Sequence, residues 1–567
     1  MEQKKKSNII WSCISAPISL MAVALMYYIK LPPINALAIE FWIFLSISIA
    51  VIGLPLVMIN VPSEVSTPKA ETNKKSKTAK KKGRVKKSRR LNFKDVRTKI
   101  FIASVLIPLI VLLVGLIGSS AFFNATTYSE IIKVEERVFE DDMPVTTSVT
   151  NIALMDSASA TVFGNRALGS LANVVSQYDL WDKYTQINYQ GKPQKVANLE
   201  YGDFFKWLNN MDSGIPGYVM VDPVGNDADY HELKTPMKYA ESAFFNEDLM
   251  RKLRFSYPSK IFDTVSFEID EDGNPFYIVA CKHPRIGLFG AYDINEVIVF
   301  NPCDGSSQIY SVEDTPSWID VVYNGNLACQ KYNWKGLYSN GFFNSIIGNV
   351  DCKQTTDDYG YIVIGDDVWY FTGVTSVSSD KSNIGFIITN ARTGEYKFYP
   401  VVGAEEHSAM SAAQGRVQEK GYVASFPSLV NISGEATYIM VLKDDYGMVQ
   451  LYALVNVENY ALISTASTQK DAIDAYNKLL LDNGITEAPE PPAVETKSAT
   501  VTVSLVRIIN DAQGDPIVYL NTSAGVFKKS LTADESLILI EAGDTLTIEY
   551  SETEVDNIFL ISKWNKQ

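Results

Sequence analysis

Histidine, the side chain best suited to acid–base and metal chemistry near neutral pH, occurs only three times in this chain, at His231, His283 and His407. None stands in an H-E-x-x-H pattern, so a zinc protease of that class is excluded. Cys281 and His283 lie two residues apart in a predicted strand and share a face, as a thiol–imidazole nucleophile would require. An incidental pair of neighbours beside Pro284 is the simpler interpretation.

Acidic residues alternate at Glu268, Asp270 and Asp272 and end at Gly273, like the start of a calcium-binding loop. The closing glutamate of an EF-hand would fall at Val279, so an EF-hand is excluded. A hairpin turn at Asp272 and Gly273 explains the pattern. A looser calcium contact stays open as the alternative.

Two segments fit the S-x-x-K pattern of certain acyl-transfer enzymes, one from Ser378 to Lys381 and the other from Ser467 to Lys470. The companion motifs of those enzymes are missing. The sequence also lacks a glycine-rich phosphate-binding loop. We therefore predict no catalytic residue, no cofactor-binding residue, no cofactor and no metal ligand.

Four cysteines follow the N-terminal region, and Cys13 lies within it. An even number permits disulfides in an oxidising compartment. Predicted neighbouring strands favour a Cys281–Cys303 bond, whereas four free, buried thiols are an equally open alternative. The four cysteines are Cys281, Cys303, Cys329 and Cys352.

The elements that must position these residues begin with an apolar, basic N-terminal region. Residues 1–99 hold 19 Lys and Arg against five Asp and Glu, whereas the rest of the 567-residue chain carries a net charge of −28. Three apolar runs are each long enough to cross a hydrocarbon core of about 30 Å. They predict a transmembrane hairpin within 1–61, with spans at about 8–29 and 35–60, and a third span at 100–123.

Positive charge predicts the orientation of these spans. Residues 62–99 carry 15 basic and three acidic side chains, and Lys4 to Lys6 precede the first span. Both regions should therefore be cytoplasmic. The chain is then expected to be a multi-pass protein of a bacterial plasma membrane, with its large C-terminal region outside the cytoplasm.

The basic loop at 62–99 is poor in apolar residues and predicted to be disordered. Its charges fix the membrane topology and would attract anionic lipid. Nucleic acid is not an expected partner, because no aromatic residues alternate with the charges to stack bases.

Two fourteen-residue stretches share one pattern without a gap, VIVFNPCDGSSQIY at 297–310 and FIITNARTGEYKFY at 386–399. Asn301 corresponds to Asn390, and Gly305 corresponds to Gly394. Each stretch predicts two strands joined by a turn that needs a residue with positive φ at the glycine.

Each hairpin follows a predicted helix and an earlier pair of strands, so the unit is one helix with about four antiparallel strands. Stacking such small units buries more core than one unit alone. A fainter copy begins near 218–230. The predicted helical faces are Phe245 with Leu249 and Leu253, then Trp318 with Val322 and Leu327, then Met410 with Ala413 and Val417. The predicted units are 237–312, 316–402 and 404–466.

The units resemble PepSY modules, helix-and-hairpin domains of exported bacterial proteins, chiefly through the strand–TGE–strand piece. Stretches such as YTQINYQGKPQKV and KWLNNMDSGIPGYVMVD are similar to an uncharacterised family of membrane-anchored exported proteins of Gram-positive bacteria. That resemblance covers about 156–484. It implies a cell-envelope setting, and it implies no catalytic residue.

The remaining segments complete the predicted domain order. Ile131, Val134 and Val138 have helical spacing, which predicts a helical stalk over 124–142 before the repeat domain at 143–484. A helix over 471–484, a Pro-rich linker at 485–497 and a small all-β barrel of SH3-like or OB-like type at 498–567 follow.

The fold class expected is therefore a membrane-anchored α+β protein: three N-terminal transmembrane helices, an extracytoplasmic array of helix-plus-antiparallel-sheet repeats, and a small C-terminal β-barrel. Two functions remain open. The first is a non-enzymatic protein- or peptide-binding scaffold of the cell envelope, with an unknown envelope protein or peptide as partner. The second is an envelope hydrolase acting on peptide or cell-wall polymer. A cleft with two or more convergent titratable groups would favour the enzyme.

Overall fold

The architecture is mixed α+β with several separate antiparallel sheets and one barrel. The computed structural model describes residues 2–59, 95–146, 154–155, 157–169, 171–225, 227–377, 382–486, 497–510, 516–552 and 557–567. The chain divides into two units, Met1–Asp482 and Asn483–Gln567. The predicted basic loop, the Pro-rich linker and the S-x-x-K segment at 378–381 lie almost entirely outside the described residues.

Three long helices open the chain: α1 Glu2–Lys30, α2 Ile39–Ile59 and α3 Val96–Gly118. Helix α3 is long and apolar enough to cross a membrane, and shorter apolar helical stretches occupy Ile14–Lys30 and Ile39–Pro55. The helices pack together. The Ser46 hydroxyl donates a hydrogen bond to the Val105 carbonyl at 2.9 Å, and Gly53 lies against the Phe101 ring.

The segment after α3 differs from the predicted helical stalk over 124–142. It consists of a short helix α4 (Ala121–Ser129), a strand β1 (Val134–Glu136) and a helical turn α5 (Phe139–Asp142). Strand β1 pairs in parallel with a later strand, Val134 opposite Tyr396. The edge of that sheet offers a whole row of backbone partners, which outweighs weak local helical spacing.

Four repeats of one unit follow, each a helix with a mainly antiparallel sheet of four to six strands. Repeat 1 contains α6 Ser157–Gly169, α7 Ala172–Val175, β2 Tyr178–Leu180, β3 Thr185–Tyr189, β4 Lys192–Tyr201, α8 Phe204–Asn210, β5 Ile215–Asp222 and β6 Asp227–Met237. Repeat 2 contains α9 Leu249–Ser256, β7 Phe262–Ile269, β8 Pro275–Ile286, β9 Gly290–Phe300 and β10 Ser307–Ser311.

Repeat 3 contains α10 Gly325–Tyr338, a π-helical turn Asn344–Gly348, β11 Lys353–Thr355, β12 Gly360–Ile364, β13 Asp367–Ser376, β14 Ser382–Asn383, β15 Gly385–Asn390 and β16 Tyr396–Tyr399. A short strand β17, Gly403–Ala404, leads into repeat 4. Repeat 4 contains α11 Glu406–Arg416, β18 Val423–Ala424, β19 Ser428–Ile432, β20 Glu435–Lys443, β21 Val449–Asn456 and β22 Ile463–Ala466, and α12 Gln469–Asp482 follows it.

The predicted match between the two fourteen-residue stretches is confirmed at the level of register. Val297 pairs with Tyr310, and Phe386 pairs with Tyr399. Gly305 has φ +78° and Gly394 has φ +73°, as the turn requires. In each turn the glycine N–H donates to the carbonyl oxygen of the strand-ending asparagine, Asn301 or Asn390, at 2.9 Å. The two hairpins are therefore one structure formed twice.

One further hairpin turn in every repeat, β3–β4, β7–β8, β12–β13 or β19–β20, also contains a glycine with positive φ, which only a residue without a Cβ adopts at little cost. The chain thus repeats a second backbone feature four times, including in repeat 1, whose predicted fainter copy at 218–230 is its last hairpin, β5–β6. These glycines are Gly191 (φ +75°), Gly273 (+80°), Gly365 (+66°) and Gly434 (+90°).

The repeats share their helices as layers between sheets. Ala409 and Ala413 of α11 lie in one core with Phe371 of repeat 3 and Tyr438 of repeat 4. Leu327, at the start of α10, packs on the repeat 2 sheet. Each helix therefore stabilises two sheets at once, which explains why small units occur as an array.

Two of the predicted helical faces differ from the structure. Leu249 and Leu253 are buried on α9, but Phe245 lies in a preceding 3₁₀ turn and is 56% exposed. Trp318 and Val322 precede α10 in a loop. In both cases the helix begins later, at a capping side chain, Asp248 for α9 and Asn324 for α10, each of which accepts a backbone N–H.

The second unit is a closed barrel of five strands: β23 Lys497–Asn510, β24 Pro516–Thr522, β25 Gly525–Ser530, β26 Thr545–Glu552 and β27 Ile558–Lys566. The strand order is β23-β24-β25-β27-β26, with β25 and β27 parallel. The stretch SLILI, predicted as a strand, lies mostly within a 3₁₀ helix, Glu535–Leu539, that buries Leu537 against the barrel core.

Candidate functional site

A cleft of about 330 Å³ lies where three of the repeats meet. Its walls are the start of strand β4 with the preceding turn, strand β12 and strand β19, and a fourth wall is the extended segment 143–146. Strands β3, β12 and β19, from three different repeats, converge here. The side-chain amide of Asn188 in β3 donates to the Asp366 carboxylate, beside the β12–β13 turn, at 2.8 Å. The repeats therefore build a site that no single one contains.

One wall presents an open strand edge. Within the described part of the chain, strand β12 pairs only with β13, and β19 pairs with β20 on one side. On its other side β19 is already joined by the segment 143–146. Val145 forms a parallel bridge with Asn431, and the Thr146 N–H donates to the Asn431 carbonyl at 2.8 Å. An extended piece of chain is thus accommodated in this cleft by backbone hydrogen bonds.

Side-chain amides supply the polar character of the cleft. The Asn431 amide donates to the Met143 carbonyl at 3.0 Å and so holds the added segment. Gln186 is buried, and its Nε2 donates to the Gln194 carbonyl at 3.1 Å. Its Oε1 has no hydrogen-bond donor within the described part of the chain. A buried acceptor without a donor is costly, so it is a natural partner for an incoming N–H group.

Among the described residues that line the cleft, none is an Asp, Glu, His, Cys, Lys or Arg. The Tyr361 phenol is the only titratable group in that described lining, and burial raises its pKa. Lys195 lies over the Tyr361 ring at 5.1 Å. The described lining therefore offers backbone, amide and apolar contacts.

A pair of buried carboxyl groups lies beside the cleft, in repeat 2 and the loop that follows it. The Glu268 carboxylate accepts hydrogen bonds from the backbone N–H of Asp320 at 2.8 Å and of Val321 at 3.2 Å. Burial raises the pKa of Glu268 to about 7. Burial, and then repulsion from Glu268, raise the pKa of Asp320 well above its usual range. Asp320 accepts from the Asn188 N–H at 2.7 Å, so the pair joins repeats 1 and 2.

The alternating acidic residues that resemble a calcium-binding loop have different structural roles. Glu268 faces the interior, whereas Asp270 accepts the backbone N–H groups of Asp272 and Asn274 and so closes the β7–β8 turn. The turn interpretation of Asp272 and Gly273 is thus confirmed. Among the described residues, no group of three or more His, Cys, Asp or Glu side chains could hold a metal ion.

The structure separates the thiol and the imidazole of the candidate nucleophile pair. Cys281 is buried in the core shared by repeats 1 and 2, where burial raises the pKa of its thiol to about 12, and its thiol donates to the Val279 carbonyl. His283 is exposed after a register shift in β8. His231 stacks on Tyr218 with ring centroids 5.3 Å apart, and His407 packs its edge on Phe426.

The remaining candidates also have structural roles. Cys281, Cys303, Cys329 and Cys352 are all free thiols, so the favoured Cys281–Cys303 disulfide is wrong. The alternative of four free, buried thiols holds in part, because Cys281 and Cys352 are buried whereas Cys303 and Cys329 are only partly buried. Thr468 of the second S-x-x-K segment caps α12 by accepting the Asp471 N–H, and Lys470 pairs with Asp474 at 2.6 Å. A cap and a helical ion pair explain that segment.

Comparison with known proteins gives no match: no family model, no curated protein and no solved structure matches the chain. The cleft itself was missed by reading the sequence, because its walls are up to about 290 residues apart along the chain. The only signal of it in the sequence was the repeated hairpin turn with a glycine. Two of these glycines, Gly191 and Gly365, line the cleft.

Proposed function

We propose that this chain is a membrane-anchored, non-enzymatic scaffold of the bacterial cell envelope that binds an extended segment of an envelope protein or peptide. The bound segment adds as a strand to the open edge of β12, across the cleft from β19. The observation that carries this proposal is the segment 143–146, which already lies along β19 in that manner.

The composition of the cleft supports binding over hydrolysis. The described residues of its lining include no acid–base pair and no ionised nucleophile, whereas hydrolysis of a peptide or of cell-wall polymer needs a base, a nucleophile or a metal. Strand addition needs only backbone groups and shallow apolar pockets. The unsatisfied Gln186 Oε1 adds one specific acceptor for an incoming donor.

The anchor in this proposal is the bundle of α1, α2 and α3, with all three helices crossing the membrane. Repeat 2 lies at one end of the bundle: the Leu288 and Phe289 N–H groups donate to the Ser119 hydroxyl just after α3. Beside that end, the π-helical turn of repeat 3 exposes apolar side chains, and Ile347 is 80% exposed. Such side chains suit the boundary between water and lipid.

The proposed orientation follows from charge. The 15 basic residues of 62–99 favour a cytoplasmic position and contact with anionic lipid there. The repeats and the barrel then lie outside the cytoplasm. The resemblance of the repeats to PepSY modules is part of this proposal, and so is the similarity of the chain to a family of Gram-positive exported proteins. Both resemblances imply a cell-envelope setting.

Photo-crosslinking in living cells tests the binding function. A photoreactive amino acid replaces Val363 in the cleft, and a matched control replaces Tyr446, which is 85% exposed on a turn of repeat 4. We expect a discrete adduct from position 363 that position 446 does not form. A second substitution in the same chain, Ser428→Arg, should abolish the adduct because it fills the cleft. Identical adduct patterns from both positions would overturn the proposal.

A further inference from the structure

A second cavity, of about 540 Å³, lies between the N-terminal helices and repeat 2. The loop between α1 and α2 forms one wall: the Ile34 N–H donates to the Pro258 carbonyl at 2.7 Å, and the Asn35 amide donates to the Ser259 carbonyl at 2.8 Å. Helix α9 and the start of β7 form the other wall. The cavity is therefore held open by a fixed contact between the helices and the repeat.

The cavity contains a buried cation. Arg254 of α9 lines it and is only 5% exposed. Its hydrogen bonds go to three backbone carbonyl oxygens, those of Leu31, Tyr257 and Lys260. Among the described residues no carboxylate lies within ion-pair distance of Arg254, and burial lowers the pKa of its guanidinium. A guanidinium buried without an anion is costly, which makes an anion from outside the protein a favourable partner.

The other charged groups of the cavity keep it positive. Lys30, at the end of α1, is exposed at its mouth, and Lys282 of β8 pairs with Asp263 at 3.2 Å. Glu40 of α2 is the only acidic residue among the described residues of the lining. With Lys282 offset by Asp263, Lys30 and Arg254 exceed Glu40 by one positive charge. The cavity therefore favours a ligand with net negative charge.

The rest of the lining is apolar, and one wall continues along α2. Ile43, Phe44 and Ile47 are one helical turn or less apart and face the cavity from α2. Ile43 is 42% exposed and Ile47 is 44% exposed, so this wall stays open to its surroundings. Met250 and Phe262 close the opposite side. An apolar wall together with a cation suits a lipid, which has an apolar acyl chain and a polar headgroup.

We propose that this cavity binds one anionic glycerophospholipid of the outer leaflet. Its phosphate lies against Arg254 and Lys30, and one acyl chain lies along Ile43, Phe44 and Ile47. This inference rests on the proposed membrane anchor and places α1 and α2 in the bilayer. The bound lipid would fix the repeat domain relative to the membrane, because it contacts the helices and repeat 2 together.

The test uses the full-length protein in an uncharged detergent, with unfolding followed as single lipids are added. Phosphatidylglycerol should raise the unfolding midpoint, whereas phosphatidylcholine and glycerol 1-phosphate should not. Lys30→Gln should weaken the phosphatidylglycerol effect about tenfold in lipid concentration, and Arg254→Met should abolish it. Lys470→Gln is the matched control, since that cation is exposed on α12, remote from the cavity in sequence.

The same full chain carries the basic residues of 62–99 in every variant, so lipid bound there contributes equally to all of them. Equal responses of Lys30→Gln and Lys470→Gln would therefore overturn the inference, even if Arg254→Met fails to fold. Full protection by glycerol 1-phosphate would also overturn it, by showing a site for a free phosphate ester. Fractionation of cells is scored separately: a chain that does not sediment with membranes contradicts the anchor itself.

Discussion

Repeats 2 and 3 have the same backbone but different surroundings. Both contain the hairpin turn that ends at Gly305 or Gly394, with the same register and the same hydrogen bonds. In repeat 2, the first strand β7 is covered, because the Glu268 carboxylate on it accepts backbone N–H groups of the next loop. In repeat 3, the equivalent strand β12 borders an open cleft.

The repeated sequence therefore specifies the common backbone of the units. The position of the cleft depends on which strand edges remain uncovered. Repeat 2 uses its surfaces to hold the α1–α2 loop and the end of α3. Repeat 3 has an edge to offer because, among the described strands, β12 pairs with β13 on one side only. In the proposed function the unit is thus used once for anchoring and once for binding, which fold alone would not reveal.

The largest effect we expect comes from adding a Cβ to the turn that the two repeats share. A Cβ on Gly394 would lie 2.8 Å from the Tyr323 ring, and one on Gly305 would lie 2.6 Å from the Tyr239 ring. Gly394→Ala and Gly305→Ala should each lower the free energy of unfolding by about 2–4 kcal/mol, from positive φ and overpacking together. Thermal or denaturant unfolding of the full-length protein in detergent measures this.

The matched control is Gly434→Ala, where φ is +90° but no atom lies within 4 Å of the added Cβ. Gly434→Ala should lower the free energy of unfolding only through the backbone strain of an alanine at positive φ, by about 1–2 kcal/mol. A loss at Gly394 no greater than the loss at Gly434 would show that the tyrosine rings yield freely, and that the two turns are less constrained than their shared geometry indicates.

A smaller effect should separate the two repeats by their response to pH. Folded protein keeps a proton on Glu268 up to about pH 7, whereas the unfolded chain loses it near the ordinary pKa of about 4.5. The free energy of unfolding should therefore fall as the pH rises between those values, by at most about 1.4 kcal/mol per pH unit from this group.

Glu268→Gln removes that titration while keeping an acceptor for the Asp320 N–H. The variant should show a shallower fall in unfolding midpoint between pH 5 and pH 7.5 than the parent. Glu395→Gln, which changes a half-exposed carboxylate in the turn of repeat 3, should keep the parent slope. A Glu268→Gln variant with the parent slope would place the pH dependence elsewhere, with Asp320, Glu200 and Glu406 as the next buried carboxyls to change.

The smallest effect is expected at the tip of the repeat 3 turn. Glu395 pairs with Lys397 at 3.7 Å in a largely solvated position, and such pairs contribute little. Glu395→Ala should change the free energy of unfolding by less than about 0.5 kcal/mol. If Glu395→Ala instead removed the crosslinked adduct at position 363 without changing stability, the turn would belong to the binding surface and the contrast between the repeats would need revision.

The sequence was sufficient for features that depend on neighbouring residues. The hairpins, their positive-φ glycines and the buried face of α12 at Tyr476 and Leu480 follow from local spacing and turn chemistry. The barrel followed from regular short strands, although SLILI, at 536–540, is helical where Leu537 must cap the core.

Features that depend on distant partners could not be predicted. Strand β1 is a strand only because β16 offers it an edge. Cys281 is buried in the core that repeats 1 and 2 share, whereas Cys303 is partly buried against that core and the two thiols are not bonded. The cleft needs residues 143–146, β12 and β19 together. The residue pattern within one of these segments does not predict which other segments it contacts.

The most direct test of the central claim, that the open edge of β12 receives a strand, is hydrogen exchange on the full-length protein in two settings. One sample is held in nanodiscs of pure phosphatidylglycerol, and the other is held in membranes from the cells that make the protein. We predict slower exchange over 360–364 in the native membranes, with unchanged exchange in the interior strands β20 and β21. Equal exchange over 360–364 in the two settings would contradict the account.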